Sequence, residues 1–302
     1  MAVGQGTNTV AYSLDGITWS GVSGSTSFFS LTGYGVAYNS ARPNTIIFPT
    51  NRTVAVGGGT NSIAYSSNGT TWTGLGTSIF SIFGAGVAWN GIMWVATGQG
   101  TNSIAYSSDG ITWTGLGTSI FSIYGAGVTW NGTMWVAVGD GTTNNIAYSS
   151  DGTTWTGVTG TSIFSTYGNG VAWNGTMWVA VGGGTNSIAY SSDGTTWTGL
   201  GATIFSTYGA GVTWNGTIWV ATGSGTNSIA YSSDGITWTG LGTSIFSSYG
   251  TSVAWNKALG SVNITAPGYI SLSEYYDLNN TLDVVSDRYY NTGFSNCSIT
   301  IG

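Results

Sequence analysis

The stretch GVAWNGTMWVAVGGGTNSIAYSSDGTTWTGLGAT, residues 170–203, is one unit of a chain assembled from near-copies of itself. It reads as four short strands: GVAWNG (170–175), MWVAVGG (177–183), SIAYSSDG (187–194) and TWTGLGAT (196–203). Short runs of β-branched and aromatic residues bounded by Gly, Asn and Asp carry the strand signal. Two junctions, Asn174-Gly175 and Asp193-Gly194, hold dipeptides that suit a two-residue type I′ hairpin, a turn that needs positive φ at both central positions.

Working outward, the tryptophan that closes the SSDG segment recurs at Trp19, Trp72, Trp113, Trp155, Trp197 and Trp238. The intervals are 53, 41, 42, 42 and 41 residues, a period found in propellers and solenoids. The VAWN-type strand ends with a copy at 253–256, whereas the VAVG-type strand begins with a truncated copy at 2–4. The chain therefore starts on the second strand of a unit and its last repeat strand is a first strand. That offset suits a ring sealed by pairing both chain ends within one sheet, which removes exposed edges. The expected fold is all-β: a six-bladed β-propeller of four-stranded antiparallel blades over residues 1–256, closed by its N- and C-terminal strands, with a short β-rich tail at 257–302. A linear β-solenoid is the alternative, but a stack has no reason to begin and end out of phase.

The S-S-D-G-x-T-W segment resembles the Asp-box, or BNR, repeat of sialidase-like propellers, whose pattern is S-x-D-x-G-x-T-W between the third and fourth strands of a blade. Here the glycine follows the aspartate directly. The positions concerned are Asp15, Asn68, Asp109, Asp151, Asp193 and Asp234, with Trp19, Trp72, Trp113, Trp155, Trp197 and Trp238 closing each box. A structural part is expected for all of them: the acid accepts turn amides, as in an Asx-turn, and the tryptophan buries a ring between blades. Asn68 is an internal control, because it keeps the acceptor oxygen and cannot ionise. The resemblance also implies what a sialidase would need, namely three clustered arginines and a tyrosine paired with a glutamate. The arginines are only Arg42, Arg52 and Arg288, and the sole glutamate, Glu274, lies in the tail. None of the family's catalytic residues carries over, and the chain is expected not to be an enzyme.

Composition narrows the function further. Charged residues are 5% of the 302, far below the roughly 25% of an ordinary soluble domain, so solubility rests on hydroxyls and amides. Four basic residues cannot neutralise a run of phosphates, and no apolar run is long enough to cross a bilayer, so neither nucleic acid nor membrane insertion is expected. Met1 runs straight into repeat sequence, with no secretory leader expected. No histidine is present and Cys297 is the only cysteine, which excludes the usual triads, His-bearing metal sites and thiolate clusters. No metal or cofactor is expected. Asp140, in GDGTTNN, is read as a solvated loop acid rather than a calcium ligand.

Strand order places the NG and DG turns at one end of the ring and the GGGTNS loops at the other. The second end gathers Asn61, Asn102, Asn186 and Asn227 with Phe83, Tyr124, Tyr167, Tyr208 and Tyr249. Amides beside aromatic rings suit a carbohydrate, although the same rings also suit packing between blades. The first end carries the insertion SARPNTIIFPT (40–50) and the departing tail, which points to a mounted ring held by an anchoring protein or by a homo-oligomer through the tail. The expectation is a non-catalytic propeller displayed on a cell or virion surface, for adhesion or glycan recognition. A purely structural decoration protein is the alternative, and a sialidase-like hydrolase the remote one.

Overall fold

The computed structural model describes residues 1–5, 8–13, 18–22, 26, 29–39, 52–158 and 163–255. Asp15, the insertion 40–50 and the tail 257–302 lie outside the described residues. Among the described residues the regular structure is all β, with no α-helix.

The first repeat contributes β1 (Ala2–Val3), β2 (Val10–Tyr12) and β3 (Ser20–Gly21), paired in that order. The next two each form a four-stranded meander: β4 (Thr32–Asn39), β5 (Arg52–Gly58), β6 (Ile63–Ser66) and β7 (Thr73–Gly74), then β8 (Phe83–Trp89), β9 (Trp94–Gln99), β10 (Ile104–Ser107) and β11 (Thr114–Gly115). The same plan gives β12 (Tyr124–Trp130), β13 (Trp135–Asp140), β14 (Ile146–Ser149) and β15 (Thr156–Gly157), and β16 (Gly168–Trp173), β17 (Trp178–Gly182), β18 (Ile188–Ser191) and β19 (Thr198–Gly199). The last is β20 (Tyr208–Trp214), β21 (Trp219–Ser224), β22 (Ile229–Ser232) and β23 (Thr239–Gly240). All strand pairs are antiparallel, as short loops between consecutive strands require.

The two turn expectations need correction. Neither junction is the expected type I′ hairpin: inside the Trp89–Trp94 pair the Asn90 amide donates to the Met93 carbonyl (3.1 Å), so the tight turn forms around Gly91-Ile92 and not Asn90-Gly91, and Tyr106 pairs with Thr114 around a wider loop. The reason lies in the side chains. Asn90 Oδ1 accepts the amides of Ile92 (2.9 Å) and Met93 (2.7 Å), an Asx arrangement in which the side-chain oxygen takes the Met93 amide that the Asn90 carbonyl would hold in a type I′ turn. Only the glycine of each pair takes the positive φ, +99° at Gly91 and +71° at Gly110.

The first strand of each four-stranded sheet carries a bulge, as between Gly84 and Gly86, and successive first strands approach closely there. A β-carbon on Gly86 would meet the Ala126 carbonyl at 2.8 Å, so only glycine permits that spacing. Residues 34–36, 85–87, 127–128, 169–171, 210–212 and 251–253 line a single cavity of about 290 Å³, so every repeat contributes an inner segment to it.

The sheets stack through their apolar faces. Val136, Val138 and Ile146 of one sheet meet Trp178, Ala180, Ala189 and Trp197 of the next, with Phe164 between them. Phe29, Phe80, Phe121, Phe164 and Phe205 repeat that wedge and are all 0% exposed. Burying such a ring contributes about 2–3 kcal/mol. Phe246, the sixth, is 43% exposed, and the tryptophan of the first repeat, Trp19, is 48% exposed where Trp72 is at 5%. Residues 252–255 pair with no strand, so the expected closing pair is not present among the described residues.

Candidate ligand-binding face

At the end of the molecule that carries the DG loops, the carboxylates hold their own turns. Asp193 Oδ1 accepts the amides of Thr195 (2.8 Å) and Thr196 (2.7 Å), and the Ser191 hydroxyl donates to the same oxygen. Asp109, Asp151 and Asp234 repeat the pattern, and Asn68 takes the amides of Thr70 and Thr71 at 2.9 and 2.8 Å. Hydrogen bonds to the charged form stabilise it. The Thr237 and Ile236 amides bring the Asp234 carboxyl down to about 2, and the corresponding threonine amides hold Asp151 and Asp193 well below the usual range. At Asp109 burial pushes upward, but the Ile111 and Thr112 amides and the Ser107 hydroxyl outweigh it. The ring of Trp197 leans over its loop and donates to the Gly194 carbonyl at 3.0 Å, as Trp72, Trp155 and Trp238 do in theirs.

At the opposite end, the asparagines expected to face a ligand turn inward. Asn102, Asn186 and Asn227 are less than a tenth exposed. Each carboxamide oxygen takes a backbone amide at the end of the fourth strand, Gly117 for Asn102 and Gly242 for Asn227. Each nitrogen donates to the carbonyl before the wedge phenylalanine, Ile79 for Asn102 and Ile204 for Asn227. Asn61 likewise accepts from Gly76. The demand that explains this is backbone satisfaction: these loops are partly buried, and their amides and carbonyls need partners. Asn144 does the same work in the fourth repeat, donating to Ile120. It escapes a pattern match because that loop, GDGTTNN, is one residue longer.

The aromatic residues take a different place. Cross-strand pairing runs Gly58–Phe83–Gln99–Tyr124–Asp140 as one unbroken lateral row over five strands from three sheets. Directly opposed residues in antiparallel strands present their side chains on the same side. Gln5 opposite Thr32, which itself faces Gly58, extends the row at one end; beyond Asp140 the pairing stops among the described residues, and a second row of the same kind runs Gly183–Tyr208–Ser224–Tyr249. Rings therefore alternate with a second set of residues: Gln5, Gly58, Gln99, Asp140, Gly183 and Ser224. This set is the x of the repeated GxGT and was legible as the position that varies while its neighbours do not. Tyr34, from the bulge of β4, supplies the ring that Thr32 lacks, packing on Phe83 with centroids 5.1 Å apart. Phe83 meets Tyr124 at 6.2 Å and Tyr167 meets Tyr208 at 6.4 Å.

Asp140, directly opposite Tyr124, acts electrostatically on both Tyr124 and Tyr167. Burial holds its carboxyl above the ordinary value. Burial together with the Asp140 charge and Tyr167 pushes the Tyr124 phenol up to about 12, and burial, Tyr208 and Asp140 raise Tyr167. Among the described residues, neither the Asp140 carboxylate nor the Gln99 amide makes a side-chain hydrogen bond. Around Tyr124 the face thus offers a ring surface flanked by two polar heads, Gln99 and Asp140.

Comparison with solved structures bears on the fold. The chain is similar to a chain of a nidogen/laminin complex, with a TM-score of 0.51, 17% identity, and coverage of 67% of this chain and 75% of that one. The fold is a β-propeller. A computationally designed protein, Ika8, aligns with a TM-score of 0.52 at 11% identity over 75% of this chain and 66% of that one. A GH74 enzyme of Niastella koreensis aligns at 0.48 with 18% identity, covering 70% of this chain and 32% of the enzyme. No protein-family model matches the chain, and no curated protein matches it.

Proposed function

We propose that the chain is a non-catalytic, six-bladed propeller that recognises glycans through its aromatic face and is displayed on a cell or virion surface. The observation that carries this reading is the stretch Phe83–Gln99–Tyr124–Asp140 of the lateral row, in which two rings suited to the apolar faces of sugars alternate with two polar heads suited to their hydroxyls. Binding rather than catalysis follows from the carboxylates. Glycoside hydrolysis usually needs two of them astride one bond. Asp109, Asp151, Asp193 and Asp234 are engaged in their own loops, which leaves Asp140 alone on the aromatic face among the described residues. Attachment to an anchoring protein or to further copies through the tail is part of the same proposal. A glycan array read beside a panel of fluorogenic glycosides tests this: retention of glycans without turnover is expected, and turnover of any glycoside or retention of none overturns it.

Ring closure belongs to the same proposal. Five inter-blade interfaces are complete, and the two half-interfaces left over are complementary: Phe246, Leu241 and Tyr231 on the last blade, and Trp19 on the first. The pairing of Val212 with Ala221 in the last blade, carried one repeat on, sets Val253 opposite Ala2. Cysteines placed at those two positions should form an intramolecular disulfide on mild oxidation. Disulfide-linked dimers in place of an intramolecular link would instead indicate a head-to-tail assembly.

A further inference from the structure

Among the GxGT loops the repeats are closely alike except around Asp140. There the GxGT position holds a carboxylate, the loop that follows is one residue longer, and Asn145 replaces the serine found at Ser62, Ser103, Ser187 and Ser228. The Asn145 amide donates to the Phe164 carbonyl of the next inter-blade segment, and its oxygen accepts the Gly141 amide at 3.2 Å, so the longer loop is braced. The aromatic belt also opens here. Tyr34, Phe83 and Tyr124 are in successive ring contact, as are Tyr167 and Tyr208, but Tyr124 and Tyr167 make no such contact, and cross-strand pairing among the described residues also stops at Asp140. Gln99 and Asp140 flank Tyr124 as its two direct cross-strand partners.

We propose that Gln99, Tyr124, Asp140 and Tyr167 form a single subsite for a neutral saccharide carrying vicinal hydroxyls. This rests on the glycan-recognition reading above and locates it. The Tyr124 ring lies beneath the apolar face of the sugar. The Asp140 carboxylate accepts hydrogen bonds from two neighbouring hydroxyls, the strong charge-assisted kind, and the Gln99 amide both donates and accepts at the other edge. The partly exposed carboxylate makes no side-chain hydrogen bond to the described residues, so its oxygens are free to exchange water for ligand hydroxyls. Acidic sugars are disfavoured. Arg52, the only described basic residue, begins β5 at the far end from Gly58, so no described cation on this face balances a ligand carboxylate beside Asp140.

The test uses the full chain against an array of glucose-, galactose-, mannose- and N-acetylglucosamine-terminated glycans with their sialylated counterparts. Wild type, Asp140→Ala, Gln99→Ala, Tyr124→Ala and a control at the opposite end, Thr133→Ala, are compared, with thermal unfolding of each. Neutral glycans should be retained by wild type and by Thr133→Ala. Asp140→Ala and Tyr124→Ala should each weaken retention at least tenfold, and Gln99→Ala severalfold. Asp140→Ala should unfold at the same temperature or higher, because it removes a desolvated charge; that separates a lost ligand contact from a lost fold. Neutral glycans held equally by wild type and the three face variants would overturn the subsite and leave glycan recognition standing. Preference for the sialylated series would overturn the ligand class. Retention of no glycan would remove the proposed function and this subsite with it.

Discussion

The carboxamide of Asn102 occupies the space that a β-carbon on Gly115 would fill. Gly115 is in β11 and Asn102 precedes β10, so the contact clamps the outermost strand to the loop. The same pair recurs as Asn61 with Gly74, Asn144 with Gly157, Asn186 with Gly199 and Asn227 with Gly240. Gly115→Ala should therefore destabilise by about 1–3 kcal/mol, the usual cost of overpacking. Asn102→Ala should cost a similar amount by orphaning the Gly117 amide and the Ile79 carbonyl. The double variant should lose clearly less than the sum, read from urea midpoints as a coupling energy.

The DG loops use the aspartate as an acceptor, and Asn68 shows that an amide oxygen suffices. Asp193→Asn should change stability by no more than about 1 kcal/mol at neutral pH, whereas Asp193→Ala should cost about 1–2 kcal/mol by leaving two amides unpaired. A loss above about 3 kcal/mol in the asparagine variant would show that the charge itself is required.

Acid should unfold the protein, and the sign follows from the lowered carboxyls. A group whose folded value lies below its unfolded value of 3.8 contributes stability above that value and loses it as pH falls through the folded value. Asp151, Asp193 and Asp234 act together, so the melting temperature should hold from neutrality to about pH 4 and fall steadily toward pH 2. Asp140 works in the opposite direction, since its carboxyl is raised. Melting curves of Asp234→Asn, which lacks one of the lowered groups, should fall less steeply over the same window.

Arg52 stands where later repeats have Met93, Met134 and Met177. It is 8% exposed, lies over the Tyr65 ring at 5.0 Å and donates to the Asp109 carbonyl in the next blade. The methionines pack the corresponding space, the Met134 sulfur against Gly194 and the Met177 sulfur against Gly235. Arg52→Met should accordingly be within about 1 kcal/mol of wild type, since buried charges bring desolvation costs that a thioether of similar length avoids. Arg52→Ala should cost more, because the packed stem is lost as well. Chemical denaturation of the two variants side by side decides the order.

Much of the fold was legible because it rests on local pattern. Period-2 runs such as SIAYS mark strands wherever they sit, and the recurring SIF phenylalanine marks the wedge between sheets. The turns were read in the wrong form, because Asn90 and Asp109 look like hairpin dipeptides until their side-chain oxygens are seen taking two amides each. The candidate face was half legible. Its rings were picked out from loop placement, but Asn102 and its equivalents turned inward to satisfy buried backbone, while the second repeat carries its ring two residues further on, at Tyr34, where the other first strands have Ala85, Ala126, Asn169 and Ala210.

By itself the sequence determined the repeat, the four strands within it and the apolar faces that must be covered, because these depend on residues only a few places apart. Tertiary structure alone decided that Gln99, Tyr124 and Asp140 are neighbours in one row. Cross-strand register and the meeting of adjacent sheets set that row, and both are fixed by packing between segments whose separation along the chain carries no record of their distance in space.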